Sequence, residues 1–130
     1  MWKKRAVEKL REHGYKLTPQ RLKLVEVLNK MGGEHPSLTD LLDEVRKEFP
    51  TISFSTLYSN VLILKELGLL ELFSLDGETH VELNTNPHIN LISTEGITDL
   101  NDEEVIRLIE KKTGKKVRMV NVLVANQPQD

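Results

Sequence analysis

Apolar residues recur every three or four positions through the first half of the chain, which is the spacing of amphipathic helices. The pattern predicts four helices, at residues 3–12, 19–29, 38–48 and 53–67. Glycine or proline follows each of them, as expected where a helix ends. Two short segments with partial alternation, 69–74 and 79–83, flank Asp76-Gly77 and predict a β-hairpin with a two-residue turn.

Four helices followed by a hairpin is the element order of a winged helix-turn-helix, in which one helix enters the DNA major groove. By position, the helix at 53–67 would be the one that reads DNA. Its outer face carries hydroxyl and amide groups that can reach base edges or phosphates. These residues are Ser55, Thr56, Tyr58, Ser59 and Asn60. A small polar face on an ordinary surface helix would give the same pattern.

The pattern changes after Pro87. A strand is predicted at 88–93, a helix from Asn101 or Asp102 to Lys112, and a strand at 116–124. The predicted helix has four apolar residues that we expect to be buried. These are Val105, Ile106, Leu108 and Ile109.

The chain is therefore predicted to be an α/β (α+β) protein with two domains. The first, 1–84, is a winged helix, the second, 88–130, is a small α/β domain, and 85–87 form a hinge. About forty residues bury little surface by themselves. We therefore expect the second domain to pair with a second copy of itself in a homodimer.

Charge is unevenly distributed, although the whole chain carries a formal net charge of only -2. Residues 1–30 hold nine lysines and arginines against three acids, whereas residues 31–83 hold three basic and ten acidic residues. A local basic surface is what a polyanion such as DNA senses within a Debye length. A solvated helix with a lysine-rich face would give the same count.

Composition excludes several classes of protein. The chain has no cysteine, so it has no disulfide scaffold, thiolate zinc site or cysteine nucleophile. No apolar run approaches the roughly 20 residues of a membrane span, and residues 1–10 are charged throughout, unlike a signal peptide. We expect a cytoplasmic protein without membrane contact. The absence of a phosphate-binding glycine loop or a spaced His/acid/hydroxyl trio argues against an enzyme.

Several segments, in order along nearly the whole chain, closely resemble the ferric uptake regulator (Fur) family. They are the run from Leu10 to Arg21, Glu34-His35 ahead of Ser37, Phe49 to Ser53 leading into Ser55-Thr56-Leu57-Tyr58, Leu67-Gly68-Leu69, Val81-Glu82-Leu83-Asn84, and His88 to Ser93. The resemblance implies a dimeric, metal-responsive repressor with a winged-helix domain and an α/β dimerisation domain.

The resemblance carries the family's DNA-contacting positions only in part. The family's tyrosine on the reading helix matches Tyr58, its arginine matches Arg21, and the preceding basic position matches Lys16. The family usually has arginine after that tyrosine, where this chain has Ser59 and then Asn60. Loss of a guanidinium that contacted a base would remove about 1–3 kcal/mol of discrimination between bases. The resemblance therefore implies a different operator or weaker binding.

The family's structural zinc site uses cysteine pairs that this chain lacks. Ser93 stands where the first cysteine is expected, and the second is missing around Glu95-Gly96. The C-terminal pair is absent as well. No structural four-cysteine zinc site is therefore expected, and hydrogen bonding and packing must replace it.

The regulatory metal site implied by the resemblance keeps more of its ligand positions than the structural zinc site does. The matching positions are His35, Glu82, His88, Asn90 and Asp99, with Asn90 in place of a usual histidine. Two imidazoles and two carboxylates suit one Zn, Fe, Mn or Ni ion per protomer. Such a set would span both domains, so bound metal would favour one angle between them.

Each of these residues also has an ordinary interpretation: His35 could cap the next helix, His88 could pack on a strand, and Glu82 could face solvent. His80, two positions before Glu82 and on the same strand face, could be a substitute ligand or an ordinary exposed residue, and the second interpretation is favoured.

The sequence leaves three functions open. The first is a metal-gated repressor that binds specific DNA. The second is a winged-helix regulator that has lost metal sensing. The third is a winged-helix module that binds proteins, because fold alone does not settle function. The basic first helix, Arg21 and Tyr58 argue against the third, and Ser59 argues slightly for it.

Overall fold

The structure is a computed structural model that describes residues 1–125. It divides into two compact units, Met1–Thr85 and a second that begins at Asn86. Helices and strands are mixed, as the predicted α/β class requires. No helix of the described residues is long and apolar enough to cross a membrane.

The first unit contains four α-helices and a hairpin, in the predicted order. Its elements are α1 (Trp2–Glu12), α2 (Pro19–Met31), a 3-10 turn (Gly32–Glu34), α3 (Leu38–Arg46), α4 (Phe54–Glu66), β1 (Glu71–Leu75) and β2 (Glu78–Glu82). Side-chain caps set where three helices begin. Thr18, Ser37 and Ser53 each accept a hydrogen bond from a backbone N–H in the first turn, which satisfies a donor that the helix leaves unpaired.

Leucine and valine fill the core of the first unit, consistent with the low aromatic content. The largest fully buried side chains are on all four helices and include Leu10, Leu24, Leu41, Leu57 and Leu64. Trp2 Nε1 and Lys9 Nζ on α1 donate to the carbonyls of Leu69 and Leu67, at 2.7 and 2.9 Å. Helix α1 is thereby fixed to the C-terminal end of α4.

The hairpin of the first unit turns at Asp76-Gly77, as predicted. Both residues have positive φ, 51° and 79°, which is the backbone of a type I′ turn. The loop before α3 lies along the edge of β2 that does not pair with β1. Val81 N donates to Pro36 O at 2.9 Å, and Ser37 forms a β-bridge with His80. The β1–β2 hairpin is therefore held to the helices of the first unit through its backbone.

The second unit is a three-stranded sheet with one helix. Its elements are β3 (His88–Ser93), β4 (Gly96–Leu100), α5 (Glu103–Thr113) and β5 (Met119–Leu123). The central strand is β3, antiparallel to β4 and parallel to β5. Ile89, Ile92 and Ile106 are its buried apolar residues.

Two expectations for the second unit were wrong. Strand β4 was not predicted, because Gly96 and Asp99 are poor strand formers and leave only a short apolar signal. Of the four residues expected to be buried on α5, Val105 and Leu108 are exposed in the single chain, Leu108 by 51%, and Ile109 is half-buried. A three-stranded sheet covers one face of a helix, and here it buries Ile106 while the adjacent apolar positions stay uncovered.

Candidate functional site

The N-terminal half of α4 presents an exposed aromatic pair. The rings of Phe54 and Tyr58 stack with centroids 5.8 Å apart and an interplanar angle of 13°. Their side chains are 47% and 37% exposed, respectively. The hydroxyl residues Ser55 and Ser59 are exposed on the same part of the helix. Helix α4 has no acidic residue before Glu66, so its N-terminal half carries no charge that repels a polyanion.

Phe54 was not among the predicted site residues. A phenylalanine at the first position of a helix counts as an apolar core residue in a hydrophobic pattern. The preceding Ser53 caps the helix, which could have located Phe54 in the exposed first turn. An apolar side chain there is suited to the methyl group of thymine.

Arg21 ties α2 to α4. Its Nε donates to Asn60 Oδ1 at 2.8 Å and its Nη1 donates to Lys16 O at 2.6 Å. The guanidinium also lies 5.5 Å from the centre of the Tyr15 ring. Asn60 in turn donates through Nδ2 to Thr56 O. Both ends of the Asn60 amide are therefore engaged within the protein, so Asn60 orients Arg21 in addition to any contact it makes itself.

His35 and Glu82 form a buried pair in the first unit. The atoms His35 Nε2 and Glu82 Oε1 lie 3.1 Å apart, and both side chains are buried. Glu82 Oε2 accepts a hydrogen bond from Asn84 N at 3.2 Å. Glutamate is almost never buried unless it is paired. A buried imidazole next to a buried carboxylate is therefore typical of a site rather than of a solvated surface.

His80 was expected to be an exposed residue, and this was wrong. It is half-buried, and its Nδ1 lies 2.8 Å from the carbonyl oxygen of His35. Because a carbonyl oxygen can only accept, Nδ1 carries the proton. The His80 ring also stacks on Phe73, with centroids 5.6 Å apart. The sequence signal was that Phe73 and His80 are opposite each other in the hairpin.

The second unit holds the other predicted ligands on β3 and β4. His88 is buried, and its Nδ1–H donates to Asn86 O at 2.8 Å. This hydrogen bond assigns the neutral ring the tautomer with its lone pair on Nε2. A backbone carbonyl on one ring nitrogen is the usual arrangement when the other nitrogen binds a metal.

Asn90 lies at the centre of a polar row across the sheet. Its backbone is opposite Asp99 on β4 and opposite Asn121 on β5. Asn90 is 0% exposed, and its Nδ2 donates to Asn121 Oδ1 at 3.1 Å. Its Oδ1 is buried without a hydrogen-bond partner among residues 1–125. Asp99, by contrast, is exposed.

These donors fit a divalent transition metal. A buried acceptor without a partner costs about 1–3 kcal/mol, and a bound metal ion or an ordered water would relieve that cost. Imidazole nitrogens with carboxylate and amide oxygens suit Zn, Fe or Mn. Cysteine is absent from the sequence. Ser93 instead accepts from Glu95 N and donates to Gly96 O, so hydrogen bonds occupy the turn after β3.

Comparisons with known proteins agree on one family. The model of the ferric uptake regulator family matches residues 12–125. A ferric uptake regulation protein homolog from Archaeoglobus fulgidus is 55% identical over 127 residues, which is 98% of this chain and 99% of that protein.

Solved structures show the same fold. The peroxide stress regulator of Campylobacter jejuni has a TM-score of 0.66 and 32% identity, over 95% of this chain and 98% of that one. The ferric uptake regulator of Helicobacter pylori, described as having three functional metal-binding sites, has a TM-score of 0.73 and 20% identity, over 95% of this chain and 88% of that one.

Proposed function

Because the chain belongs to the ferric uptake regulator family, we propose that it represses transcription by binding a specific DNA site when it holds a divalent metal. Members of this family are DNA-binding transcriptional regulators and not enzymes. The observation that carries the metal part of the proposal is a set of buried donors. It consists of the His35–Glu82 pair in the first unit and, in the second, the buried Oδ1 of Asn90, which has no hydrogen-bond partner among residues 1–125.

The DNA-contacting face is formed by the start of α4 and by the basic residues that flank it. The proposed contacts are Lys16, Arg21, Ser55, Thr56, Tyr58, Ser59 and Asn60. Arg21 and Lys16 bind phosphate, and Asn60 holds the Arg21 guanidinium in place through the 2.8 Å hydrogen bond. The hydroxyls of α4 reach base edges or phosphates.

Phe54 adds an apolar contact to this face. Its ring lies in the first turn of the reading helix, where the residues nearest the bases are found in helix-turn-helix proteins. Tyr58 supports it from behind by stacking. A phenyl ring against the thymine methyl group would distinguish thymine from the other bases, so we expect a thymine in each half-site.

The regulatory metal takes its ligands from His35, Glu82, His88, Asn90 and Asp99, one ion per protomer. Within the second unit the backbone pairing already places Asn90 opposite Asp99. The imidazoles supply nitrogen donors, and the carboxylates and the amide supply oxygen donors. A metal that needs ligands from both units binds best to one conformation of the chain, and its differential affinity favours that conformation over the others.

The protein also forms a homodimer through its second unit. In the single chain this unit exposes the apolar side chains of Leu108 on α5 and Leu123 on β5, by 51% and 71%. Helix α5 carries Glu103 and Glu104 in its first turn and Lys111 and Lys112 in its last turn. A second copy packed antiparallel along α5 would cover Leu108 and place acidic ends against basic ends.

The dimer is tested by charging the exposed apolar surface. We expect Leu108→Asp to sediment as a monomer, because an unpaired charge in the interface is strongly unfavourable. Leu22→Asp is the matched control, since Leu22 is an exposed leucine of the first unit, and it should remain dimeric. A Leu108→Asp protein that is still a dimer would place the interface elsewhere.

The metal-gating proposal is tested with three histidine variants. His35→Ala and His88→Ala should lower the affinity for Mn(II) or Zn(II) in calorimetry, and should lower DNA affinity when metal is present. His13→Ala is the control, because the exposed His13 donates only to a carbonyl within its own helix region, Lys9 O at 2.9 Å. Unchanged metal and DNA binding in the first two variants would contradict the proposal.

A further inference from the structure

His35 has a backbone conformation that is uncommon for its residue type. Its φ and ψ are 52° and 58°, in the left-handed region, at the end of the 3-10 turn. Glycine is the usual residue at such a helix end, because a Cβ is disfavoured there. Among the residues that the structure describes, Asp76 is the other non-glycine with positive φ, and the two-residue hairpin turn requires it. His35 is not in such a turn, so other contacts must hold it.

The contacts that hold the His35 backbone come from β2. His80 Nδ1–H donates to the His35 carbonyl at 2.8 Å. The next residues are fixed as well, because Val81 N donates to Pro36 O and Ser37 bridges His80. Three successive loop residues are therefore paired with one strand. A left-handed residue persists only where the surrounding structure determines its conformation in this way.

The His35 ring is held by the same hairpin. Phe73 packs against it edge to face, with centroids 6.1 Å apart and planes at 69°. Phe73 is opposite His80 on β1 and β2, and its other neighbour in the stack is the His80 ring. Glu82 of β2 holds His35 Nε2 at 3.1 Å. His80 thus helps to hold the backbone of His35 and, through Phe73, the position of the His35 ring.

We infer that His80 is a positioning residue for the metal ligand His35, which rests on the proposed metal-binding function. His80 does not bind the metal. It donates to the His35 carbonyl and keeps the left-handed backbone, so that the imidazole is directed correctly before metal arrives. Residues that orient ligands in this way typically change metal affinity by about 10- to 100-fold when they are mutated.

Substitutions of His80 can separate the hydrogen bond from the ring. Asparagine places an amide N–H near the position of Nδ1, whereas the amide of glutamine is one bond further out, near Nε2. Leucine keeps apolar bulk without any donor. If the donated hydrogen bond is what matters, His80→Asn should behave like the wild type, and His80→Gln and His80→Leu should not.

The experiment is a titration of each full-length variant with Co(II), whose visible d–d spectrum reports ligand geometry. We expect His80→Leu and His80→Gln to bind Co(II) about 10- to 100-fold more weakly and to show an altered spectrum at saturation. His80→Asn keeps the donated hydrogen bond but lacks the ring that stacks on Phe73, so it should keep most of the affinity and the wild-type spectrum. His13→Leu is the matched control, because it removes another histidine whose Nδ1 lies within hydrogen-bond distance of a carbonyl, away from the site.

The Co(II) titration distinguishes failure of metal binding from failure of the positioning role of His80. Wild-type protein that binds no Co(II) would contradict metal gating and the role of His80 together. If the wild type binds Co(II) and His80→Asn and His80→Gln have equal affinities and spectra, the proposed metal binding stands and the positioning role is wrong. A purely structural role would lower stability in urea for every His80 variant and leave the spectrum at saturation unchanged.

Discussion

The buried amide of Asn90 gives the sharpest test of the metal site, because it reverses the usual effect of a core mutation. Replacing Asn90 with leucine puts an apolar side chain of similar size into a fully buried position. The substitution removes a buried oxygen that has no partner among residues 1–125, and relief of that penalty is worth about 1–3 kcal/mol. The lost hydrogen bond to Asn121 matters little, because Asn121 is exposed and water can replace Asn90 there.

The metal-free Asn90→Leu protein should therefore be more stable than the wild type by about 1–2 kcal/mol. With metal the order should reverse. A ligand at about 100 times its Kd stabilises the native state by about 2.7 kcal/mol, and a variant that lacks one donor should lose most of that gain. The expected signature is higher stability in chelator combined with a smaller response to metal.

The assay is urea unfolding of both proteins with EDTA and with Mn(II), followed by circular dichroism. Asn121→Ala is the control, since it removes the acceptor of Asn90 Nδ2 without relieving Oδ1, and should destabilise the metal-free protein. If Asn90→Leu is less stable than the wild type in EDTA by more than about 1 kcal/mol, the oxygen is already satisfied. Asn90 Oδ1 would then not be a vacant metal ligand.

Three further outcomes are expected. Arg21→Ala should weaken DNA binding and flatten the slope of log affinity against log salt by about one unit. Arg107→Ala, which changes an exposed arginine of the second unit, should leave the slope unchanged. Equal slopes for the wild type and Arg21→Ala would show that Arg21 does not contact DNA. Wild-type protein should bind its selected sites less tightly when one thymine per half-site is replaced by deoxyuracil, and Phe54→Ala should bind both forms equally; a methyl effect that survives in Phe54→Ala would contradict the proposed contact. Gly32→Ala should destabilise the protein by about 1–3 kcal/mol in urea unfolding, because the new Cβ would overlap the Leu83 side chain. Gly33→Ala should be near neutral, because a Cβ there meets open space. Equal stabilities of the two variants would show that Leu83 moves aside.

The family predicted from the sequence is confirmed, as are the mixed α/β fold class and the function as a DNA-binding regulator. The helices could be predicted because their ends are encoded locally. Thr18 and Ser53 cap α2 and α4 with their own side chains, and Asp76-Gly77 has the backbone of a two-residue turn. Such signals depend on neighbouring residues and can be read without tertiary structure.

Features that depend on distant residues could not be predicted. The exposure of Leu108 depends on which face of α5 the sheet covers, and the half-burial of His80 depends on a loop 45 residues earlier in the chain. The hydrogen bond between Arg21 and Asn60 joins two helices across 39 positions. Hydrophobic periodicity reports that a residue is polar or apolar, and it does not report which partner tertiary packing brings to it.

In the proposed function, metal controls DNA binding by this protein. The most direct test is selection of genomic DNA fragments by the purified protein, run in parallel with a chelator and with Mn(II), Fe(II) or Zn(II). We expect a palindromic site to be enriched only when metal is present, because a symmetric dimer recognises two equivalent half-sites. Equal enrichment with and without metal would contradict metal gating, and no enrichment in any arm would contradict sequence-specific DNA binding and favour a protein partner.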